Sequence, residues 1–446
     1  MKVFVYTLGC KLNQCESEAI ADAFAHEGFI VAGADEGADL YVVNTCTVTT
    51  KAEQKARRMI RKYAAEKQHP VVLVTGCYAQ MEAREIESLG ERVVVVSLDE
   101  KPALLHLPRA LANRLVAHID LLSAIRQCVS SIKEEPAGVT PFDYDAASFS
   151  FHSRAFLKIQ DGCDNSCAYC RVSIARGKAV SLDHEEVAKR CLALEGNGFA
   201  EIVLTGVNIS AYRSGELGLD GLLRLLLAQV DSHTRIRLSS LEPDKLDDRL
   251  IDVFSDGRIQ PHFHLPVQSA SDEVLKRVNR HYDVEQLARS VESLRKVKDD
   301  PFIAADMITG LPGEDDLQFE RSLEMIKALD FSQLHVFPFS PRPQTALFGA
   351  KDRVPESVRD QRAKVLRDVS AIHFRRYMER QIGKDACVLL EEQRGDLWYG
   401  LTGNYLHVPV YGVPAWVARG ALVPVMLERD QRTKLPVGRY VAQTPA

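Results

Sequence analysis

The chain lacks an excess of basic residues, a long apolar run and a secretory leader. Lys and Arg number 56 against 61 Asp and Glu, a formal net charge of −5, so any nucleic-acid contact must come from local basic faces. Its apolar stretches are too short or too interrupted to span a bilayer. The opening MKVFVYTLGC has no charged leader followed by a long apolar run. We therefore expect a cytoplasmic protein with no membrane association.

The sequence also lacks a serine-hydrolase triad, a phosphate-binding loop and any internal repeat. These absences leave the ten cysteines as the main candidates for chemistry. Thiols stay reduced in the cytoplasm, so we interpret these cysteines as metal ligands, catalytic groups or core residues rather than disulfides.

Residues 1 to about 100 alternate strand-like and helix-like segments. KVFVYTLG, LYVVNTC and VVLVTGC are strand candidates, and amphipathic segments separate them. This alternation predicts a parallel sheet with helices on both faces. VVVVSLDE adds a further strand candidate.

A second alternating series begins at residue 154. Its six strand candidates are AFLKIQDG, EIVLTG, RIRLSSLEP, HFHLPVQS, FIAADMITGLPG and QLHVFPFS. About six strand–helix units predict an incomplete (βα)6 barrel of the TIM type.

Two stretches connect these series, and a third follows them. Residues 102–127 favour one helix, and EEPAGVTPFDYDAAS (134–148) reads as a linker. From about residue 381, five short β-like runs suit a small antiparallel barrel of the oligonucleotide-binding type. The predicted domains are 1–135, 136–380 and 381–446.

Three cysteines within eight residues form the pattern C-x3-C-x2-C. A zinc site would need a fourth ligand, and none of the nearest Cys or His residues has finger-like spacing. A 4Fe–4S cluster can take three thiolates and leave one iron open. We favour the cluster over a zinc site or unliganded thiols. These cysteines, the loop triad, are Cys163, Cys167 and Cys170.

A second set of three cysteines falls at the carboxyl ends of three strand candidates. In open α/β sheets, this edge is where sites assemble. The shared position argues against three unrelated core residues and suggests a second cluster with one open iron. These cysteines, the N-terminal triad, are Cys10, Cys46 and Cys77.

The loop triad followed by an incomplete barrel resembles the radical S-adenosylmethionine (SAM) enzymes. Over nearly its whole length the chain resembles their methylthiotransferase family, which ends in a small RNA-binding barrel called TRAM. The motifs that carry the resemblance are TLGCKLNQ, NTCTVT, TGCYAQ, RAFLKIQDGC, RLSSLEP, LPVQSASDEVLKRVNR, DMITGLPGE and LHVFPFSPRPQT.

Several of these motifs look most like the branch that acts on N6-threonylcarbamoyladenosine at position 37 of tRNA. The alternatives are the branches acting on isopentenyl-adenosine in tRNA or on a ribosomal-protein aspartate. A non-enzymatic iron–sulfur RNA-binding protein is a further alternative.

The resemblance implies SAM and two 4Fe–4S clusters, with no protein side chain acting as catalytic acid or base. The loop triad would hold the cluster that generates a radical from SAM, and the N-terminal triad an auxiliary cluster that delivers sulfur. SAM contacts are predicted at Tyr169, Gly206, Asn208, Glu242 and Gln268.

The implied partners are the anticodon loop of tRNA around A37 and a reductant such as flavodoxin or ferredoxin. We expect a monomer. The helix at 51–67 is rich in Lys and Arg, although a solvated helix face would have the same composition. The predicted RNA contacts are Arg57, Arg58, Arg61, Arg375, Arg376 and Tyr405.

Four departures from the family pattern affect loops rather than ligands. Cys15 stands where an aromatic residue is more common, and Ser173 and Ile174 alter the loop after the triad. Ala270 replaces a common glycine, and VSLDEK (96–101) replaces a Gly-Asn turn.

Overall fold

A computed structural model describes residues 1–33, 36–115, 119–134, 140–144 and 152–442. It contains an N-terminal parallel α/β layer, a six-stranded open barrel and a small closed β-barrel. The predicted fold class is therefore confirmed. No helix in these residues combines the length and apolarity needed to cross a membrane.

The N-terminal layer is a five-stranded parallel sheet in the order β2-β1-β3-β4-β5. Alternate residues of its strands pack against α1 on one face and α2 on the other, which explains their near-continuous apolar sequences. The short strand β2 was not predicted. The elements are β1 (Lys2–Thr7), α1 (Lys11–His26), β2 (Ile30–Val31), β3 (Leu40–Thr45), α2 (Thr50–Ala64), β4 (Val71–Gly76), α3 (Cys77–Met81), α4 (Ala83–Glu87) and β5 (Val93–Val95).

The helix predicted at 102–127 is interrupted, so that prediction was wrong. A 3-10 turn at Lys101–Leu105 precedes α5 (Leu107–Leu115), and α6 (Leu121–Glu134) follows. Pro108 suits the first turn of a new helix because it has no N–H to donate to a preceding turn. The helix prediction also covers residues 116–118, which lie outside the described residues.

The predicted linker at 134–148 lies mostly outside the described residues. Within 140–144, Phe142 and Tyr144 are buried. The ammonium group of Lys158 lies 5.9 Å and 5.1 Å from their ring centroids, so this part of the segment packs against the barrel.

The barrel consists of two three-stranded parallel sheets, β6-β9-β10 and β11-β12-β13, joined by isolated bridges between Ile236 and Ile259 and between Ser240 and His264. Asp or Ser side chains cap the N-termini of α8, α10, α11, α12 and α13. The elements are β6 (Ala155–Lys158), β7 (Gln160–Asp161), α7 (Val172–Arg176), β8 (Val180–Ser181), α8 (His184–Gly196), β9 (Glu201–Thr205), α9 (Leu219–Gln229), β10 (Arg235–Leu238), α10 (Asp248–Phe254), β11 (His262–Gln268), α11 (Asp272–Arg277), α12 (Val284–Val297), β12 (Phe302–Thr309), α13 (Asp316–Leu329), β13 (Gln333–Pro338) and α14 (Glu356–Gln381).

The C-terminal barrel closes in the order β14-β15-β16-β18-β17. Four of its pairings are antiparallel and one, β16 with β18, is parallel. Its strands are β14 (Asp385–Arg394), β15 (Leu397–Thr402), β16 (His407–Tyr411), β17 (Leu422–Arg429) and β18 (Pro436–Tyr440). The predicted domain limits at 135 and 380 fall close to the ends of α6 and α14 and stay predictions.

The C-terminal barrel packs against the amino-terminal ends of the larger barrel's strands. Arg235 donates to the carbonyl of Cys387 (2.9 Å), and Arg237 donates to the carbonyl of Gly403 (2.9 Å). The ring of His262, the first residue of β11, stacks on Tyr405 at 4.0 Å between centroids. A strand of the length of β12 spans about 26 Å, so this seam lies well away from the carboxyl ends of the strands.

We predict that His262 makes this seam sensitive to acid. Burial lowers the pKa of His262 well below its ordinary value of 6.5, so the ring is neutral in the folded protein. Its Nδ1 is buried and has no hydrogen-bond partner among the residues that the structure describes. The unfolded chain takes up a proton here as the pH falls through 6.5, and stability is lost over that range. His262→Phe keeps the stacking and should reduce the loss.

Urea unfolding at about pH 7.5 and about pH 5.5 measures this effect. The control is His233→Phe, which changes a histidine whose side chain is 91% exposed. Equal acid sensitivity in the wild type and His262→Phe would contradict the prediction.

Candidate functional site

Both cysteine triads line one cavity of about 350 Å³ between the N-terminal layer and the barrel. The five residues predicted to contact SAM line the same cavity. Their roles as ligands stay predictions. The residues that meet at this cavity are far apart in sequence, from Cys10 to Gln268. The cavity is lined by Cys10, Cys46, Cys77, Cys163, Cys167, Cys170, Tyr169, Gly206, Asn208, Glu242 and Gln268, among others.

The N-terminal triad is assembled by three neighbouring parallel strands. Cys10 follows β1 at the start of α1, Cys46 follows β3, and Cys77 follows β4. Parallel neighbours end at the same sheet edge, which brings together residues far apart in sequence.

Glycines allow the backbone to pass close to these cysteines. Gly76 has φ +95°, and a Cβ atom on it would lie 2.4 Å from the carbonyl oxygen of Thr45. Gly9 has φ +112°, and its Cβ would lie 2.9 Å from the Cβ of Cys46. A side chain at either position would be strained and would also push two cysteine-bearing loops apart.

The thiols of each triad lie further apart than the ligands of a closed zinc site. Within the described residues, one group of three His, Cys, Asp or Glu has all its ligand atoms within 4.8 Å of one another. That group contains no cysteine, so the three sulfurs of each triad are not all within 4.8 Å of one another. Tetrahedral zinc with 2.3 Å bonds brings its sulfurs to about 3.8 Å. Both triads are wider than this, and all six thiols are free.

Five buried charged groups beside the N-terminal triad carry one positive charge in excess. These groups, hereafter the charge network, are Glu16, Lys101, Lys158, Asp161 and Arg176. Arg176 donates from Nη1 to both oxygens of Asp161 (3.0 Å each), and Lys158 donates to Glu16 (2.9 Å). Lys101 also pairs with Glu16. Three cations thus face two carboxylates. The Nε of Arg176 lies 3.2 Å from Sγ of Cys77 and directs the surplus charge at the sulfurs.

That surplus fits a thiolate-bound group. Burial raises the pKa of Cys46 to about 12, which disfavours an uncompensated thiolate. A nearby guanidinium and metal coordination both favour the ionised sulfur.

A second group of charges joins the loop triad to the N-terminal layer. Arg171, next to Cys170, donates to Glu53 (3.3 Å) and Glu82 (2.5 Å). Arg342 pairs with the same Glu53 and donates to Oγ1 of Thr50 (3.0 Å). The two domains are therefore held together at the cavity by shared carboxylates.

Around the loop triad, N–H groups approach two of the sulfurs. The N–H of Val172 lies 3.4 Å from Sγ of Cys170, and Nη1 of Arg280 lies 3.5 Å from Sγ of Cys167. Such donors stabilise thiolates in iron–sulfur sites. Arg280 also pairs with Glu242, which accepts from Nδ2 of Asn165 (3.0 Å).

Asn208 offers a polar atom to a ligand. Its Oδ1 is buried and has no hydrogen-bond partner in the described structure, although the residue lines the cavity. A buried acceptor of this kind suits a ligand that carries N–H or O–H groups.

The residues predicted to bind RNA lie on α2, on α14 and at the seam between the two barrels. Arg58 and Arg61 are exposed on α2, whose first turn adjoins the cavity through a hydrogen bond from Thr50 N–H to Ser340 Oγ (3.0 Å). Arg57 on the same helix is half-buried and donates to the Tyr78 hydroxyl (2.8 Å). Arg375 and Arg376 are exposed on α14.

Tyr405 is held at the seam between the barrels. Besides stacking on His262, its ring has the cations of Lys11, Arg154 and Arg237 within 6 Å of its centroid, at 5.2, 5.7 and 5.1 Å. The ring is used between domains, and the RNA contact predicted for it stays a prediction.

The sequence departures have mostly structural roles. Cys15 is buried and donates to the carbonyl of Phe156 (3.2 Å), so it joins α1 to the barrel and does not line the cavity. Ala270 is buried and donates its N–H to Ser322 (3.0 Å). Ile174 is exposed on α7. Nothing in the structure explains Ser173.

Sequence reasoning missed the residues of the charge network. Glu16 lies in a segment predicted only as an amphipathic helix, and Lys101 appears in the sequence analysis only as the last residue of VSLDEK. The signal available was the position of Glu16, six residues after Cys10 on a helix whose neighbouring positions are buried. Arg176, six residues after Cys170, was not predicted to have a role.

Comparison with known proteins supplies the family. Residues 2–97 match the model described as uncharacterized protein family UPF0004, and residues 157–326 match the radical SAM superfamily. A Treponema pallidum protein named threonylcarbamoyladenosine tRNA methylthiotransferase MtaB is 38% identical, covering 92% of this chain and 94% of that protein. The chain belongs to the threonylcarbamoyladenosine tRNA methylthiotransferase family.

Further relatives of the methylthiotransferase carry the same name. The Thermotoga maritima protein is 35% identical over 90% of this chain and 88% of its own. The Bacillus subtilis protein is 33% identical over 95% of this chain and 93% of its own. The radical SAM superfamily implies SAM and a 4Fe–4S cluster as cofactors.

A solved structure supports the fold of the methylthiotransferase. TsrM of Kitasatospora setae, a radical SAM methyltransferase solved with cobalamin and a 4Fe–4S cluster, aligns with a TM-score of 0.53. It is 15% identical and covers 78% of this chain and 77% of its own. At this identity the match concerns the fold alone.

We predict that Gly76→Ala destabilises the methylthiotransferase by about 3 kcal/mol or more, since strain from a positive φ adds to a clash with rigid backbone. Gly28→Ala is the matched control. Gly28 also has a positive φ (+79°), but no atom lies within 4 Å of the position of its Cβ. The control should cost about 1 kcal/mol.

Urea unfolding of the cluster-free protein compares the two variants. Equal costs would mean that the contact between Gly76 and Thr45 is unimportant. A larger cost for Gly76→Ala, together with loss of iron bound on reconstitution, is the expected result.

Proposed function

We propose that the chain is a radical SAM enzyme that adds a methylthio group to C2 of N6-threonylcarbamoyladenosine at position 37 of tRNA. The observation that carries this proposal is that both cysteine triads line a single cavity of about 350 Å³. Two metal groups held there would both be within reach of one substrate. The names of the relatives support the substrate.

The loop triad would hold the 4Fe–4S cluster of the radical SAM superfamily, and the N-terminal triad a second one. When bound, these groups supply reductive cleavage of SAM and a sulfur-holding site. The chain provides the compensating charges, with Arg176 beside Cys77 and Arg280 beside Cys167. Hydrogen bonds to ligand sulfurs and nearby charge stabilise the ionised form of such ligands.

Other cavity residues would bind and orient SAM. Asn208 presents a buried acceptor, and Glu242 is fixed by Arg280 and Asn165. Tyr169 packs against a buried apolar cluster that includes Val278, Leu311 and Phe339, and it lines the cavity. Pro266, Ile308 and Phe337 provide apolar walls that limit water in the cavity, which protects a reactive carbon radical.

Iron content tests the assignment of the two triads. Anaerobic reconstitution should give about eight irons per chain, the content of two cubane clusters. Replacing the N-terminal triad by alanines should leave about four, and so should replacing the loop triad. Cys387→Ala, at a half-buried cysteine outside the cavity, is the control. A wild type with about four irons, unchanged by loss of the N-terminal triad, would contradict the second cluster.

The substrate is tested by mass spectrometry of nucleosides from tRNA incubated with the reconstituted protein, SAM and a reductant. We expect a methylthio gain on threonylcarbamoyladenosine. A gain on isopentenyl-adenosine instead would assign the chain a different substrate. Absence of SAM cleavage by a protein with full iron content would favour a non-enzymatic RNA-binding role.

RNA would approach the cavity along α2. The helix begins beside the cavity and carries exposed arginines at 58 and 61. We predict that Arg58→Ala with Arg61→Ala weakens binding of an anticodon stem-loop. The slope of log affinity against log salt should decrease by about 1.5, because each phosphate contact contributes about 0.7 to 0.9.

The matched control for charge is Arg289→Ala with Arg321→Ala, which removes two exposed arginines from barrel helices. A change in slope of the same size in the control would mean that net charge, not the face of α2, determines binding.

A further inference from the structure

Three polar side chains with no role so far lie together inside the barrel: His264 on β11, Asp306 on β12 and His335 on β13, hereafter the floor trio. Nε2 of His264 lies 2.9 Å from Oδ1 of Asp306, and Nδ1 of His335 lies 3.2 Å from the same oxygen. The strands are parallel neighbours, and Asp306 pairs directly with His335 in register.

The floor trio lies one layer below the cavity walls. Side chains two residues apart on a strand share a face. Pro266, Ile308 and Phe337, each two residues further along its strand, line the cavity, and so does Asp306 itself. Asp306 is thus the member of the floor trio that lines the cavity, and the trio lies about 6.6 Å, or two residues, further from the carboxyl ends of the strands than the apolar walls.

Most of the hydrogen-bonding capacity of the floor trio is already used. Nδ1 of His264 lies 3.0 Å from Oγ of Ser240, so both nitrogens of that ring have partners. Two atoms have no protein partner among the described residues: Nε2 of His335 and Oδ2 of Asp306. The His335 side chain is 42% exposed and that of Asp306 24%, so both are accessible.

Asp306 is ionised at neutral pH. Burial alone would raise its pKa, but the hydrogen bonds from His264 and His335 outweigh burial and hold the pKa well below its usual range. The carboxylate in turn orients both imidazole rings. Because Nδ1 of His335 faces Asp306, Nε2 is the nitrogen of that ring left to face a ligand.

The two free atoms, Nε2 of His335 and Oδ2 of Asp306, form a donor–acceptor pair rather than a binding site for a cation. Nε2 of His264 and Nδ1 of His335 both face Oδ1 of Asp306. A metal ion bound by the trio would need the same two nitrogens as ligands. A ligand that matches the remaining pair carries an acceptor, best an anionic one, beside an N–H or O–H group.

The substrate proposed above has such a group. The threonylcarbamoyl substituent on N6 of adenine contains a carboxylate, a urea N–H and a hydroxyl. N6 and C2–H leave the six-membered ring on either side of N1 and point in different directions, so a base that turns C2 towards the cysteines carries this substituent to one side of them. The apolar walls between suit the faces of the ring.

We propose that the floor trio is the subsite for the polar N6 substituent of the substrate adenosine. His335 Nε2–H donates to the carboxylate of the substituent, and Asp306 Oδ2 accepts from its N–H or O–H. His264 and Ser240 are positioning residues that fix Asp306. This assignment rests on the proposed function and adds the residues that would distinguish the substrate from plain adenosine.

The test uses anticodon stem-loop RNAs that differ only at base 37: threonylcarbamoyladenosine, its methyl ester, and adenosine. Dissociation constants are measured by fluorescence anisotropy with the reconstituted protein and SAM under anaerobic conditions. Loss of a hydrogen bond to a charged group weakens binding by about tenfold to a hundredfold. The wild type should prefer the acid over its ester by such a factor.

His335→Phe, which keeps a ring of similar size, should bind acid and ester equally while its affinity for the adenosine RNA is unchanged. Asp306→Asn should reduce the preference for both substituted bases over adenosine. His335→Gln, which retains a donor, should recover part of the preference for the acid. His233→Phe is the control, since that histidine is exposed and remote from the cavity.

Iron content and SAM cleavage without RNA should be unchanged in His335→Phe. The assignment is overturned if this variant still discriminates acid from ester, or if it weakens all three RNAs alike. It is also overturned if EDTA removes the wild-type preference and Mn²⁺ or Zn²⁺ alone restores it, because the floor trio would then be a metal site.

Failure of the proposed function gives a different result. A wild type that modifies no threonylcarbamoyladenosine overturns the function itself. A wild type that modifies it, with variants that keep its selectivity, overturns only the role of the floor trio.

Discussion

The charge network of Glu16, Lys101, Lys158, Asp161 and Arg176 is the contact on which the arrangement of the cavity depends. Its members come from α1, from the turn before α5 and from the barrel, and all are buried. Breaking a buried ion pair by removing one partner costs about 3 to 5 kcal/mol, because the remaining charge is left uncompensated. The relative position of the two domains is therefore fixed at the place where the two cysteine triads meet.

The rest of the molecule extends from that junction in opposite directions. The cavity lies at the carboxyl ends of the barrel strands, and the C-terminal barrel is attached at their amino-terminal ends through Arg235, Arg237 and His262. Exposed basic residues occur at both ends, on α2 and on α14. A folded RNA that touched both would have to run along the whole barrel, so contacts at the far end would orient it rather than select the base.

Periodicity and strand-end position predicted the three-part architecture and the two triads. Those signals are local: alternation of apolar residues, glycine before cysteine and the short spacing around Cys163. The short strands β2 and β8 and the interruption at Pro108 were not predicted, because two-residue strands have almost no periodic signal and a proline near a helix start is compatible with either reading.

The charged residues of the site were the least predictable part. Glu16 on an amphipathic helix reads as solvent-facing, since buried carboxylates are rare unless paired. Its partners lie 85, 142 and 160 positions away in sequence. The floor trio was missed for a similar reason, because three residues on separate strands share a layer only when the register of those strands is known.

The order of the domains along the chain determines when the surroundings of the N-terminal triad form during synthesis. All of its sulfurs and the three strands that hold them have been made once residue 77 leaves the ribosome. The guanidinium that balances them, and the lysine beside it, belong to a domain that is made later. Glu16 pairs with Lys101 within the N-terminal part, but its contacts with Lys158 and Arg176, and the contact of Arg176 with Cys77, form only after the barrel has been made. The charges beside the N-terminal triad are therefore balanced only when the second domain has folded.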